Sequence, residues 1–313
     1  MKKVQKTKKF SEERYWRIRM KDGDENLAKD AWERNRVGIW YGGWSAKDWV
    51  RSLKKPDPFK YLSELPQPSG RGQFKKTDFD TAKRFAGIVK NDWVVVFFDD
   101  SLHLARIHGG LKSNSKYLKR NGEIFKYRKI VDKKSFQLGR LPDSYRLIPS
   151  AGRANVHEFS EARRALIKFL AENKDENAVV RAIKKMPFMS WLDLLGPAGW
   201  ESFCLGYLII TEGFLPTGLG VGRTLPTLDI VGRNKKAIRI VAQCKKNPES
   251  LPMPTDFINA CRNIKKKAHV YFFAYGGITE SPKWVKVRNR KDMERWVNTG
   301  AGRKYAAMFH QVG

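Results

Sequence analysis

Apolar and polar positions follow two periods along this chain, and the switches between them outline its elements. Arg14 to Met20 alternates as a strand does, Asn26 to Arg34 carries helical spacing, and Val37 to Tyr41 returns to strand character. Pro56, Pro58, Pro66 and Pro68 mark Lys54 to Gly72 as a long loop. A helix is predicted from Asp78 to Ile88. The clearest hairpin joins Asp92–Phe98 to Leu102–Ile107 through the turn Asp99–Asp100. Glu158 to Lys174 and Glu176 to Lys185 then read as two helices.

Beyond them, Gly196 and Pro197 open a helix through Trp200, Glu201, Phe203, Leu205 and Leu208, with Gly213 at the position of a C-cap. Two apolar runs, Leu225–Gly232 and Ala237–Lys245, flank a turn rich in Gly and Asn, which predicts a hairpin. Alternation along the second run puts Arg239, Val241, Gln243 and Lys245 on one face and Ile238, Ile240 and Ala242 on the other. Asp256 to Arg262 reads as a further helix and His269 to Ala274 as a core strand. The organisation is bipartite: a strand-rich part over 1–150, a helical connector over 151–190, and a second α/β part over 191–313.

Charge changes what these elements are expected to meet. The chain holds 62 Lys and Arg against 32 Asp and Glu, a formal net charge of +30. Such a surface attracts a phosphate backbone, with strong salt dependence. Its basic runs, such as Lys8–Lys9, Lys133–Lys134 and Lys265–Lys267, are spread along the chain, and none is flanked by a long apolar segment. No stretch approaches the roughly 20 apolar residues of a spanning helix. Met1 to Phe10 lacks the apolar centre of a secretory signal. The expectation is a cytoplasmic protein that engages no membrane. Cys204, Cys244 and Cys261 form no Cys-x-x-Cys pair, His103 and His108 lack a third ligand, and no phosphate-binding Gly-x-x-x-x-Gly-Lys motif occurs.

The predicted hairpin carries the candidate chemistry. An acid ending its first strand, Asp229, can sit opposite Gln243 and Lys245 on the second, which gathers a carboxylate, an amide oxygen and an ammonium. Mg²⁺ takes oxygen ligands and keeps several waters, so one or two carboxylates with a backbone carbonyl suffice. Asp229, Gln243 and the carbonyl of Cys244 are candidate ligands, and Lys245 can offset charge growing on a phosphoryl group. The second acid comes from the preceding helix: Glu201 is the first candidate, and Glu212, directly before Gly213, is its competitor.

The order of an acidic helix, an Asp and Gln-x-Lys resembles the Mrr-like branch of the restriction-endonuclease-like nucleases. Trp200–Glu201 stands where that family commonly has Phe-Glu, Gly213–Phe214 supplies the Gly-aromatic turn, and Asp229 with Gln243–Cys244–Lys245 supplies the rest. The similarity covers roughly 190–313 and departs from the family at Gly218 to Pro226, the approach to the Asp. It implies a mixed central sheet and Mg²⁺-dependent endonuclease activity, with Mn²⁺ as a substitute. Glu201, Asp229, Gln243 and Lys245 would be catalytic, double-stranded DNA the substrate and a homodimer the assembly.

The N-terminal part is similar to the PUA/EVE superfamily of small β-barrels. The similarity rests on Tyr15–Ile18, on Gly38 to Gly42, and on Ile88 to Val95 followed by Ala105 to Ile107. Such modules hold RNA or an extruded, modified base, which points to Trp44, beside Gly42 and Gly43, as an aromatic wall. Arg153 after Gly152, together with Lys246 and Arg223, are candidate DNA contacts. The fold expected is thus α/β of the α+β kind: a PUA-like barrel with helices, then a nuclease-like domain. The function expected is a restriction endonuclease that senses a modified base. A repair or junction-resolving nuclease and a non-catalytic RNA-binding protein stand as alternatives.

Overall fold

Strand alternation and helix capping shape two mixed sheets, each with helices packed on it. The computed structural model describes residues 13–22, 25–40, 42–66, 73–114, 124–146, 148, 155–216 and 227–309. The chain divides into two compact units, Met1–Val179 and Val180–Gly313, and the division falls inside the segment read as a connector. Among the described residues no helix is long and apolar enough to cross a membrane.

The first unit begins with β1 (Tyr15–Ile18), the short pair β2 (Lys21–Asp22) and β3 (Glu25–Asn26), α1 (Ala28–Glu33) and β4 (Arg36–Ile39). Three helices follow: α2 (Ala46–Ser52), α3 (Pro58–Ser63) and α4 (Lys76–Ala86). The long strands are β5 (Trp93–Phe98), β6 (Ser101–Asn114) and β7 (Phe125–Gln137), and α5 (Asp143–Arg146), β8 (Val156–Glu158) and α6 (Glu161–Glu172) close the unit. Helix α7 (Glu176–Lys185) spans the division. The sheet runs β4-β7-β6-β5-β1-β8, with β1 and β5 parallel and its other pairs antiparallel.

The β5–β6 hairpin forms as the sequence predicts, pairing Phe98 with Ser101. Asp99 and Asp100 both take left-handed backbone, at φ 46° and 51°, as a tight two-residue turn requires. Asp92 anchors its start: its carboxylate accepts from Trp16 Nε1 at 3.0 Å, Val89 N at 3.0 Å and Arg14 at 2.9 Å. The stretch from Lys54 to Gly72 is not one loop. Pro58 occupies the first turn of α3, where its missing N–H is no loss, and the Asp57 side chain accepts from Lys60 N at 3.0 Å. A proline read as a breaker is here a starter.

Trp44 is fully buried, in a core with Trp49, Leu62, Phe74 and Phe79. This corrects its reading as the wall of a base pocket. Gly42 has φ +76°, and a Cβ there would lie 3.0 Å from the Trp44 ring, so the glycine serves the packing of Trp44. Beneath it Lys126, also fully buried, donates to the carbonyls of Trp40 (3.1 Å) and Gly42 (2.8 Å), its ammonium 4.3 Å from the centre of the Trp44 ring. Arg128 likewise turns inward, donating to the carbonyls of Phe85 and Ala86 where α4 ends. The basic and aromatic residues at the start of β7 are therefore structural.

The second unit holds α8 (Phe188–Leu194), α9 (Gly196–Glu212), β9 (Phe214–Pro216), β10 (Ile230–Asn234) and β11 (Arg239–Lys245). It continues with α10 (Thr255–Arg262), β12 (Ala268–Ala274), β13 (Val285–Arg288), α11 (Arg290–Val297) and α12 (Gly300–Phe309). Its sheet runs β13-β12-β11-β10-β9; the first three strands are parallel, and β10 and β9 are antiparallel to their neighbours. Helix α9 starts with Pro197 in its first turn and stops at Gly213, whose φ of 62° and ψ of 38° make the left-handed cap read from sequence.

Removing the Trp44 indole leaves a cavity in a closed core. Trp44→Ala is expected to destabilise the first unit by about 3–5 kcal/mol, and Trp44→Phe by less. Denaturant unfolding of the full chain followed by circular dichroism checks this; an unchanged unfolding midpoint for Trp44→Ala would contradict the burial.

Candidate active site

The two faces of β11 meet two different cores. Ile240 and Ala242 pack with Trp200, Phe203, Cys204 and Leu208 of α9, whereas Val241 packs with Phe257 of α10 and with Val270 and Phe272. The alternation read from sequence thus holds, and it puts Gln243 and Lys245 on the α10 side of the sheet. Gly232, read as part of the turn, lies instead within β10. A Cβ there would come within 2.4 Å of the Leu215 carbonyl and the Phe214 ring, so a glycine is required for close packing. Asn234 makes the turn, its side-chain oxygen accepting from the N–H groups of Lys236 and Ile238, both at 3.0 Å.

Asp229 directly precedes β10. Its N–H donates to the Ala242 carbonyl at 2.9 Å, and its Oδ2 accepts from the N–H of Cys244 at 2.7 Å. Since Ile230 pairs with Ala242, the ladder carried one step further sets Asp229 against Gln243. The carboxylate is thereby pinned to the strand that bears Gln243 and Lys245. Gln243 is 4% exposed, and its side-chain oxygen has no hydrogen-bond partner among the described residues. Lys245 is exposed, and its carbonyl accepts from Tyr275 N at 2.9 Å.

Glu201 reaches this group from α9. Trp200 before it is fully buried, donates from Nε1 to the Phe273 carbonyl at 3.4 Å, and packs edge-on to Tyr275. That anchor leaves Glu201 half-buried. Burial holds its carboxyl above the usual range, the neighbouring Asp229 charge pushes it the same way, and Lys245 pulls it back. Glu201, Asp229 and Lys245 therefore share one electrostatic environment. Cys204, one turn along α9, shares a hydrogen bond with Cys244; burial, Cys244 and the two acids hold its thiol far up, so it is inert at neutral pH.

The competitor, Glu212, is occupied elsewhere. It accepts from His269 Nδ1 at 2.9 Å and from the Tyr271 hydroxyl, with Lys286 at 3.6 Å. Burial would raise its carboxyl, but those two hydrogen bonds and the lysine outweigh it and hold the group low. The structure brings Glu201, not Glu212, to Asp229.

The outlying candidates divide differently. Lys246 donates to the carbonyls of Asp193 (2.6 Å) and Leu192 (3.3 Å), where α8 ends. Burial lowers its pKa, against Asp193, which raises it. It is a helix-terminating lysine rather than a projecting DNA contact. Arg153 and Arg223 lie outside the described residues, as does the Gly218–Pro226 approach.

A second network went unread in the sequence. The Tyr275 hydroxyl donates to Asp193, Arg290 Nε donates to the same hydroxyl at 2.8 Å, and Arg290 lies 3.7 Å from Asp193. Burial first, and then Asp193, push the Tyr275 hydroxyl up to about 12. The network fixes Tyr275, and with it the end of β11 through the bond to Lys245. The only hint in the sequence is an aromatic residue directly after a strand.

No family model, curated protein or solved structure matches the chain. The site must be judged on its own chemistry. Among the described residues no three His, Cys, Asp or Glu side chains gather as a metal site. The set assembled here is of another kind: two carboxylates, one amide oxygen and a backbone carbonyl. Those are donors that suit a hard divalent cation, and the unpartnered Gln243 oxygen is the one that most needs such a partner.

The raised pKa of Glu201 fixes a sign. A carboxyl held above its unfolded value contributes stability below the unfolded glutamate range, near pH ~4.3, and that contribution is lost as pH rises through the folded value. Glu201→Gln is therefore expected to raise the thermal midpoint at neutral pH in metal-free buffer, with the gain vanishing in acid. An equal or lower midpoint at neutral pH would show that Glu201 is not under this strain.

Proposed function

We propose that the chain is a Mg²⁺-dependent DNA endonuclease of the restriction-endonuclease-like kind. The observation that carries the reading is the buried, unpartnered oxygen of Gln243 on the strand that pins Asp229 and presents Lys245. A buried amide oxygen left unpaired costs about 1–3 kcal/mol, and a cation ligand supplies the missing partner. Glu201, Asp229, Gln243 and the Cys244 carbonyl would hold Mg²⁺, or Mn²⁺ in its place. When bound, the ion supplies Lewis-acid activation of the scissile phosphate and of the attacking water.

The chain's own groups do the rest. Lys245 carries an exposed ammonium beside two carboxylates, where it can orient a water and offset negative charge on the phosphoryl oxygens. Glu201, held above the usual range, is suited to exchange a proton with that water. Asp229, fixed by the Cys244 N–H, keeps a constant position as the charge develops. The net charge of +30 favours a polyanionic substrate, and double-stranded DNA is the one that the resemblance implies. A cut through both strands calls for two such sites, hence a homodimer. The PUA-like reading of the first unit stays with this proposal as a DNA-contacting module, but the burial of Trp44 takes away the residue that suggested a modified-base pocket.

Asp229→Ala and Lys245→Ala are each expected to lower Mg²⁺-dependent nicking of supercoiled plasmid by at least ~100-fold while DNA binding persists. Gln243→Glu should retain metal binding, measured by titration calorimetry. Full cutting by either alanine variant would remove the site.

A further inference from the structure

Beside Lys245, on the α10 side of the sheet, lies a cavity of about 120 Å³. We infer that it receives a single-ring base unstacked from the duplex next to the scissile phosphate, an inference that rests on the nuclease reading above. The cavity opens at the C-terminal ends of the parallel strands β11 and β12, where open α/β sheets place their ligands. Its floor is apolar, formed by Phe272, Ala274, Leu251 and Ile278. Of the residues lining it, Lys245 and Glu249 are exposed and Asn247 is half-buried.

The frame is built rather than accidental. The loop after β11 and the turn after β12 are joined by backbone hydrogen bonds: Gly276 N to Asn247 O at 2.8 Å, Leu251 N to Gly277 O at 3.3 Å, and Thr279 N to Leu251 O at 3.1 Å. A Cβ on Gly276 would stand 2.4 Å from the Glu249 carbonyl, so the two segments touch as closely as backbone can. Glu249 N is held in turn by the Asn247 side chain at 2.9 Å. A cavity so framed does not collapse, and larger side chains at Ala274 or Leu251 could have filled it.

Size and chemistry select the occupant. An apolar cavity of roughly 150 Å³ accepts benzene, so this one suits a six-membered ring and is tight for a fused one. A base offers apolar faces to the floor and a polar edge to Asn247 and Glu249, and Lys245 lies within reach of the attached phosphate. Unstacking a base costs a few kcal/mol and costs least where pairing is already broken. A mispaired pyrimidine should therefore enter more readily than a paired one.

The test is binding of the full chain in EDTA, by fluorescence anisotropy, to three duplexes of one sequence. One is fully paired, one carries a pyrimidine–pyrimidine mispair and one a purine–purine mispair. The wild type is expected to bind the pyrimidine mispair on the order of tenfold more tightly than the paired duplex, and the purine mispair with a smaller gain. Leu251→Trp and Ile278→Phe, checked for folding by circular dichroism, should bind paired DNA comparably to wild type and lose the preference. Equal wild-type affinity for all three duplexes, equal gains for both mispairs, or a preference that survives both folded variants would overturn the cavity assignment alone. Absence of binding to every duplex would instead remove the nuclease reading, and the cavity assignment with it. Should both variants unfold, the wild-type comparison of the two mispairs decides by itself.

Discussion

The double burial of β11 is the constraint on which the second unit depends. With α9 packed on one face and α10 on the other, Ile240, Val241 and Ala242 have no solvent-facing side and must all be apolar. The strand becomes polar only at Gln243, before its buried part has ended, so an amide is carried into the core and remains 4% exposed. A folding sequence free to choose would place an apolar side chain there. The same strand holds Asp229 through the N–H of Cys244 and presents Lys245 one residue further on. One buried ladder thus fixes a carboxylate, an amide oxygen and an ammonium with little freedom between them, the preorganisation that an electrostatic site needs.

In the first unit, cations that read as nucleic-acid contacts are used to satisfy backbone carbonyls. Lys126 binds the carbonyls of Trp40 and Gly42, Arg128 those ending α4, and Lys134 those of Ala171 and Asn173 where α6 ends. Carbonyls at a helix C-terminus carry partial negative charge and lack intrahelical partners. A basic chain can stabilise its own helix ends with residues that composition alone assigns to a ligand. Lys246 does the same for α8. The net charge still favours a polyanion, but the individual basic residues that touch it must be sought among side chains not already committed in this way.

Alternation and turn chemistry made much of the fold legible. The β5–β6 hairpin, the cap at Gly213 and the two faces of β11 followed from local patterns whose physics is local. The errors share a cause. Pro58 and Gly232 were assigned by what their residue types commonly do, whereas helix position and the nearby Phe214 ring decided what they do here. Trp44 could not be told from its neighbours by hydropathy, because its burial depends on α3, Phe74 and α4 folding over it. The Asp193–Tyr275–Arg290 network joins residues from separate elements, and no single stretch of sequence carries it.

The two acids of α9 show how environment, rather than residue type, separates a structural carboxylate from a candidate reactive one. Glu212 is surrounded by His269, Tyr271 and Lys286, and the fold holds it in its charged form. Glu201 lies on the same helix, but it faces burial and the like charge of Asp229 with only Lys245 in opposition. Its charged form is disfavoured by the fold that positions it. Groups tuned apart in this manner mark sites where a protein has kept a local electrostatic cost for chemistry. The cost is concentrated on the side chains nearest Lys245, so a ligand bringing positive charge to Glu201, Asp229 and Gln243 would relieve all three at once.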